Sequence, residues 1–375
     1  MADRPKTIPT GHGRHALLTS LVLMTTLGWT QLVRGDPQHD LMLFLSLEGI
    51  DVFSGSDPAL EYSDVRSTAD ILYTFNNDRF RFLGEFVWSD SESELERFKA
   101  GWQANDRTVA WLGRFHTISK YWTTEYHHGQ YVQTSISRPG LEEWEDEGGP
   151  MPSHITGLSL QHEYDGAGES AISFGFAAGL GSMFVGQELV PFDLLDPRSG
   201  HDLTVSYRMT YRPDVFSTNQ VGLMVAWNDI PVVSASAPAL VDLNAIRQTT
   251  VGLFADWHWT DWRVITSWVY FDNELQFVNG DENDDFVLAY LQAEYKASEN
   301  WTIFGRSEFG FDEDDSIYLQ LLPTSIAHRQ MLGVRWDFTD AQGLTLELAD
   351  TSTQGDSFVH DHFKEIRLQW SAVFP

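Results

Sequence analysis

Twelve basic residues fall at alternating positions within short apolar segments: Arg79, Arg81, Arg97, Lys99, Arg114, Arg208, Arg212, Arg263, Arg306, Arg329, Arg335 and Arg367. Guanidinium groups ranged along one face of successive segments can attract anions, or they can pair with acids on the same face such as Glu85, Glu308, Asp337 and Glu365. A second concentration lies in 113–147, with the aromatics Tyr121, Trp122, Tyr126 and Tyr131, the adjacent His127 and His128, Arg138, and five acids in six residues, Glu142, Glu143, Glu145, Asp146 and Glu147. Imidazole and carboxylate are ordinary zinc or copper ligands, so His127 and His128 with His116 and Glu125, and separately His360-Asp361-His362, are the places to look for a metal. Adjacent histidines in an extended segment point opposite ways. The expectation is therefore hydrogen bonding that fixes the segment, with no metal and no cofactor. No G-x-S-x-G, H-E-x-x-H or phosphate loop is present, and serines and acids are too abundant to nominate a triad; an enzyme is not expected.

Strand alternation is what would position these side chains. In 79–88, Phe80, Phe82, Phe86 and Trp88 share one face and Arg79, Arg81 and Glu85 the other. In 203–212, Leu203, Val205, Tyr207, Met209 and Tyr211 oppose Thr204, Ser206, Arg208, Thr210 and Arg212. Period-two patterning over about ten residues, with arginine far from any turn, fits a barrel strand between lipid and a polar lumen. In a soluble sandwich or solenoid the polar face would more often carry Lys, Thr and Glu. Sixteen such segments are expected: 41–50, 67–75, 79–88, 94–104, 108–115, 153–164, 171–180, 202–212, 220–228, 247–259, 262–271, 286–297, 301–310, 328–338, 344–352 and 363–374. Tight polar turns such as 76–78, 105–107, 260–261 and 341–343 alternate with longer connections, so short turns gather on one rim and long loops on the other. An even count returns both ends of the chain to the short-turn rim. Trp88, Trp102, Trp259, Trp262, Trp301 and Trp370 lie near segment ends, as interfacial girdles require.

The N-terminus is consistent with export. Basic Arg4, Lys6 and Arg14 precede an apolar run from Ala16 to Trp29, and small residues near Gly35 permit cleavage before Asp36, so 1–35 reads as a signal peptide and 36–375 as the barrel. Of 24 basic and 54 acidic residues, removing 1–35 leaves 20 and 53, a formal charge of −33. Nucleic acid is an improbable partner for such a chain. There are no cysteines, hence no disulfides or thiolate metal sites. More than half of the remaining acids fall in the expected outward loops, whose only basic residues are Arg66, Lys120, Arg138 and Arg198.

Gly113-Arg114-Phe115 leading into Tyr126-His127-His128-Gly129 and Gln133-Thr134-Ser135-Ile136-Ser137-Arg138-Pro139 resembles the Gram-negative outer-membrane porins, in the broad class that includes the phosphate-selective porins. Such barrels commonly end on an aromatic residue; here Phe374 is followed by Pro375. The resemblance implies that the third outward loop, 116–152, folds into the lumen and narrows it. It implies a homotrimer in the outer membrane among lipid and lipopolysaccharide, passing small hydrophilic solutes or ions. A basic wall opposite the acidic 142–147 cluster would orient solutes, with Arg114 and its neighbours favouring anions at the constriction. The alternative is a surface-binding or adhesion role for the acidic outer loops.

Overall fold

In a computed structural model the described residues are 38–375, apart from 57–59, 91–92, 127–128, 146, 196, 198–199, 236–241, 323–324 and 355–359. The expected signal segment 1–35 lies outside them. Eighteen strands are present among the described residues. Sixteen form a closed antiparallel barrel: β1 (Gln38–Phe53), β2 (Tyr62–Asn77), β3 (Phe80–Ser89), β4 (Ser93–Asn105), β5 (Thr108–His116), β6 (His154–Asp165), β7 (Ala171–Leu180), β10 (Leu203–Arg212), β11 (Gln220–Ala235), β12 (Leu243–Trp259), β13 (Trp262–Phe277), β14 (Gly280–Lys296), β15 (Trp301–Phe311), β16 (Ser325–Thr339), β17 (Gln342–Gln354) and β18 (His360–Phe374). Each pairs with its neighbours, and β1 closes the ring by pairing with both β2 and β18, for instance Leu47 with Trp370 and with Ser67. The expected segments match these strands one for one. The short β8 (Met183–Gly186) and β9 (Glu188–Val190) were not anticipated; they form an excursion between β7 and β10, and β8 pairs in parallel with the outer end of β11.

The outer surface is apolar, as lipid contact requires. Leu112, Leu158, Leu253 and Leu332 are each about 60% exposed, and Trp102, Trp259, Trp262 and Trp301 are exposed close to the short-turn rim. Both ends of the strand sequence return to that rim, where the Val373 amide donates to the Ala341 carbonyl in the β16–β17 turn.

The inward face departs from expectation on β11 to β14. Met224, Phe254, Ile265, Val269, Phe271 and Tyr290 point inward and are buried. These positions are apolar because protein covers them instead of water: aromatics of the 117–153 loop lie against the lower ones, and Phe184, Leu189, Tyr318, Leu319 and Leu321 cover the upper ones. The expected outward loop at 272–285 is also mostly strand, since β13 continues to Phe277 and turns directly into β14 at Gly280. The alternation of Phe271, Leu275, Phe286 and Leu288 onto the inner face supplies the reason. One side of the barrel is therefore filled, and the side formed by β1–β3 and β16–β18 is not.

Gly113 controls the entry to the long loop. Leu112 faces lipid, so strict alternation would put Arg114 outside as well; instead Gly113 takes φ 141° and Arg114 is buried inside, 1% exposed. A Cβ at Gly113 would lie 2.1 Å from the Phe98 carbonyl oxygen, and Gly157, its partner on β6, has an equally close neighbour at 2.2 Å. Gly113→Val is expected to destabilise the folded barrel by at least ~2 kcal/mol, seen as a lower thermal midpoint in detergent. Gly49→Ala, where a Cβ meets nothing within 4 Å, should leave it unchanged. Equal midpoints for the two variants would contradict the close approach.

Candidate functional site

Residues 117–153, between β5 and β6, cross the interior from one wall to the other. Two short helical turns, α1 (Tyr121–Glu125) and α2 (Gly129–Val132), are followed by a 3-10 turn at Gly140–Glu142. The loop is held at its root, on the filled wall and on the far wall by different chemistry.

At the root, the Thr117 amide donates to the Ser153 carbonyl at 2.8 Å. Lys120 is fully buried and donates to the Glu143 carbonyl at 2.5 Å and to Ser153 Oγ at 2.7 Å. Burial holds its ammonium down at about 8, opposed by Glu142 and Glu145. Glu142 is itself buried and pushed up by desolvation, against Lys120 and the amides of 121–123, with the Tyr121 amide donating at 3.1 Å.

On the filled wall, aromatics carry the contact. Tyr121 stacks on Phe254 with centroids 4.4 Å apart, and Trp122 and Tyr126 pack beside it. Burying each such ring contributes roughly 1.5–3 kcal/mol. Their polar ends converge on one carboxylate: Asp256 accepts from Tyr121 Oη at 2.7 Å, Tyr126 Oη at 3.0 Å and Arg263 Nη2 at 2.6 Å. Burial pushes both tyrosine hydroxyls well above their ordinary range, so they remain donors at any physiological pH.

On the far wall the loop backbone is met by charged side chains of β15 to β17. Arg306 donates to the carbonyls of Ser137 and Arg138, each at 2.9 Å, and Arg335 to that of Gln133 at 2.8 Å. Arg329 also reaches the Arg138 carbonyl. Glu308 accepts the Gly140 amide at 2.6 Å, and Glu347 accepts the Ile136 and Ser137 amides at 2.9 and 3.2 Å. Tyr131 reaches the short-turn rim, donating to the Asp340 carbonyl.

The expected basic wall is thus largely an ion-paired scaffold. Arg97 pairs with Glu85, Arg114 with Glu94, Arg208 with Glu125, Arg212 with Glu163, Arg263 with Asp256, Arg306 and Arg329 with Glu308, Arg335 with Asp337, and Arg367 with Glu48 and Glu365. Lys99 lies over the Trp111 ring and Arg81 is half-buried on the inner wall. Arg79 is a correction: it sits exposed in the β2–β3 turn over Trp102, a lipid-facing ring, because β3 starts only at Phe80. The acidic cluster is also divided. Glu142 and Glu145 are buried, Glu143 and Glu147 line the remaining space, and Asp146, His127 and His128 lie outside the described residues. Arg138 lies 3.9 Å over the Trp144 ring, and its buried guanidinium is held below its ordinary range by desolvation, against Glu143.

The unfilled side is a cavity of about 1110 Å³ between the loop and β1–β3 with β16–β18. Among the described residues its lining holds twelve acids, including Glu48, Asp70, Asp90, Glu143 and Glu188, against four arginines, Arg66, Arg138, Arg329 and Arg367. Sequence reasoning overlooked Asp256 and Glu347, although both occupy inward positions of their strands and alternation pointed to them.

No family model matches the chain, and no curated protein matches it. Solved structures do. The chain is similar to the anion-selective porin from Comamonas acidovorans, at 11% identity and TM-score 0.62, over 90% of this chain and 100% of that one. It is similar to the outer membrane channel DcaP of Acinetobacter baumannii, at 10% identity and TM-score 0.57, over 92% and 100%, and to Salmonella typhi OmpF, at 12% and 0.54, over 90% and 97%. The fold is that of a porin.

Glu347→Ala removes the acceptor of two loop amides, and hydrogen bonds to charged groups are worth about 1.5–3 kcal/mol. Amide exchange at 136–137 should accelerate about 10- to 100-fold, read by mass spectrometry; unchanged exchange would contradict the anchoring. Lys120 gives a pH signature. Its folded pKa lies below its unfolded value, so between about pH 8 and pH 10.5 the unfolded chain binds more protons and stability rises with pH. The thermal midpoint of wild type minus that of Lys120→Met is expected to climb through that window, and a flat difference would show that burial does not depress the group.

Proposed function

We propose that the protein is an outer-membrane channel for passive diffusion of small hydrophilic solutes, exported by the 1–35 segment. The observation that carries this is the cavity of about 1110 Å³, whose lining mixes charged and polar side chains with apolar ones, inside a closed barrel whose outer face is apolar. A sheet closed by sixteen strands is wide enough to hold water beside the inserted loop. Solute passage needs no covalent step. The wall and loop set the size limit, and the charges around the cavity set the ion preference.

The pairing of the inner-wall arginines leaves the cavity with an excess of acids, so a preference for cations is the reading favoured here. Arg114 does not serve as a filter on this account, because its guanidinium is buried, bonded to Glu94 and the carbonyls of Glu96 and Phe192. The second reading is anion preference through Arg138, Arg329 and Arg367, favoured by the likeness to a porin whose description says anion-selective. Reversal potential in a potassium chloride gradient separates them. Wild type should be cation-preferring, and neutralising three lining acids together (Asp90→Asn, Glu143→Gln, Glu188→Gln) should move the potential towards the chloride side. An anion-preferring wild type, indifferent to that triple change, would reverse the sign proposed here.

A further inference from the structure

The root of the inserted loop holds a cluster of groups that solute passage does not use. His116 ends β5, His154 begins β6, and the two are partners in register, with ring centroids 5.1 Å apart. Glu96 joins them from β4 through a bulge. Glu85 of β3 faces Arg97 and Phe86 faces Leu95, which leaves Glu96 as the extra residue. An extra residue breaks alternation, and Glu96 and Arg97 are both buried as a result. Glu96 Oε1 lies 3.0 Å from Nε2 of His116 and 3.0 Å from Nε2 of His154, and the three ligand atoms lie within 4.8 Å of one another.

Two independent features of the surroundings suit a cation. His154 Nδ1 is 3.0 Å from Glu145 Oε1. A carboxylate on Nδ1 holds a proton there and fixes the ring with Nε2 facing Glu96, so that a cation displacing the Nε2 proton meets the lone pair, the way metal-binding histidines are oriented. Glu96 and His154 also border the lumenal cavity, which gives an ion a route in. Tetrahedral coordination with ligands at about 2.0–2.1 Å separates donor atoms by roughly 3.4 Å, so the two Glu96 contacts need to open by a few tenths of an ångström, while the two imidazole nitrogens, which lie within 4.8 Å of one another, settle at that separation. The nearby Arg114 cation is balanced by its ion pair with Glu94.

We propose that Glu96, His116 and His154 bind one zinc-class divalent cation, with the fourth position open to water or solute from the cavity. The ion would clamp β4, β5 and β6 where the constriction loop leaves and rejoins the wall. Two imidazoles and a carboxylate are ligands of the borderline-soft class that zinc prefers. The metal-free expectation drawn from the sequence weighed His116 with Glu125, His127 and His128; Glu125 instead pairs with Arg208, and Glu96 and His154 come from elements remote in sequence. Binding of the ion does not depend on the chain being a channel.

The test is calorimetric titration of zinc chloride into the chelator-treated, folded protein in detergent, with zinc-edge X-ray absorption on the loaded wild type. One zinc per chain and two imidazoles in the first shell are expected. The double variant His116→Gln with His154→Gln should weaken binding at least ~100-fold, and Glu145→Gln, which touches no metal, by about 10-fold. No saturable zinc in wild type, equal binding by the double variant, or an all-oxygen shell would each overturn the proposal, leaving a proton shared by His154 between Glu96 and Glu145 to account for the geometry. The absorption arm needs no variant, so a double variant that failed to fold would not rescue the idea.

Discussion

Backbone hydrogen bonding without water is the constraint on which this structure depends. In hydrocarbon an unpaired amide or carbonyl costs several kcal/mol, so a sheet crossing a membrane has to close on itself. The β1–β18 pairing, which runs from Leu43 opposite Phe374 to Phe53 opposite Lys364, removes the last two edges. Closure then dictates the rest. One face of every strand is given to lipid, the other to a lumen too wide for wall side chains to fill, and the interior has to be furnished by a loop, by water, or by both.

Here it is both, divided by side. The 117–153 loop meets an apolar inner surface on β11–β14 with aromatics, and a charged inner surface on β15–β17 with its own backbone. Arginine suits the second task because its planar fork of donors can serve a carboxylate and two carbonyls together, as Arg306 does with Glu308, Ser137 and Arg138. The cations that look from the sequence like a wall for passing anions are in this way largely committed to acids of the inner wall, and five of them also to holding the loop. What remains for solutes is the acid-rich cavity between the loop and β1–β3 with β16–β18, and the root of the loop beside it is where the Glu96, His116 and His154 cluster sits.

Much of the fold was legible because lipid enforces alternation strictly. All sixteen barrel strands were found, Arg97, Arg114, Arg306 and Arg335 do lie inside, and the third loop does enter the lumen. One cause of what was not legible is local escape from period two. The bulge at Glu96 and the positive φ at Gly113 each shift the facing of a neighbour by one place, and neither leaves a mark in the residue pattern. Phe277–Gly280 looked like part of a loop because Asp281–Asp285 is acidic, yet the inner face of that hairpin is apolar. Ion pairing was harder still, since alternation names the face of an arginine and not its partner; Arg208 with Glu125 and Tyr126 with Asp256 join residues more than 80 positions apart.

The central claim is that water and small solutes pass beside the inserted loop. Single-channel recording of the purified folded protein in a planar bilayer addresses it most directly, with polyethylene glycols of increasing size added to both chambers. Discrete conductance steps that shrink when small polymers enter, and recover once the polymer is too large to enter, are the predicted result. A folded barrel that gives no steps at any voltage would contradict the claim and make the loop a plug.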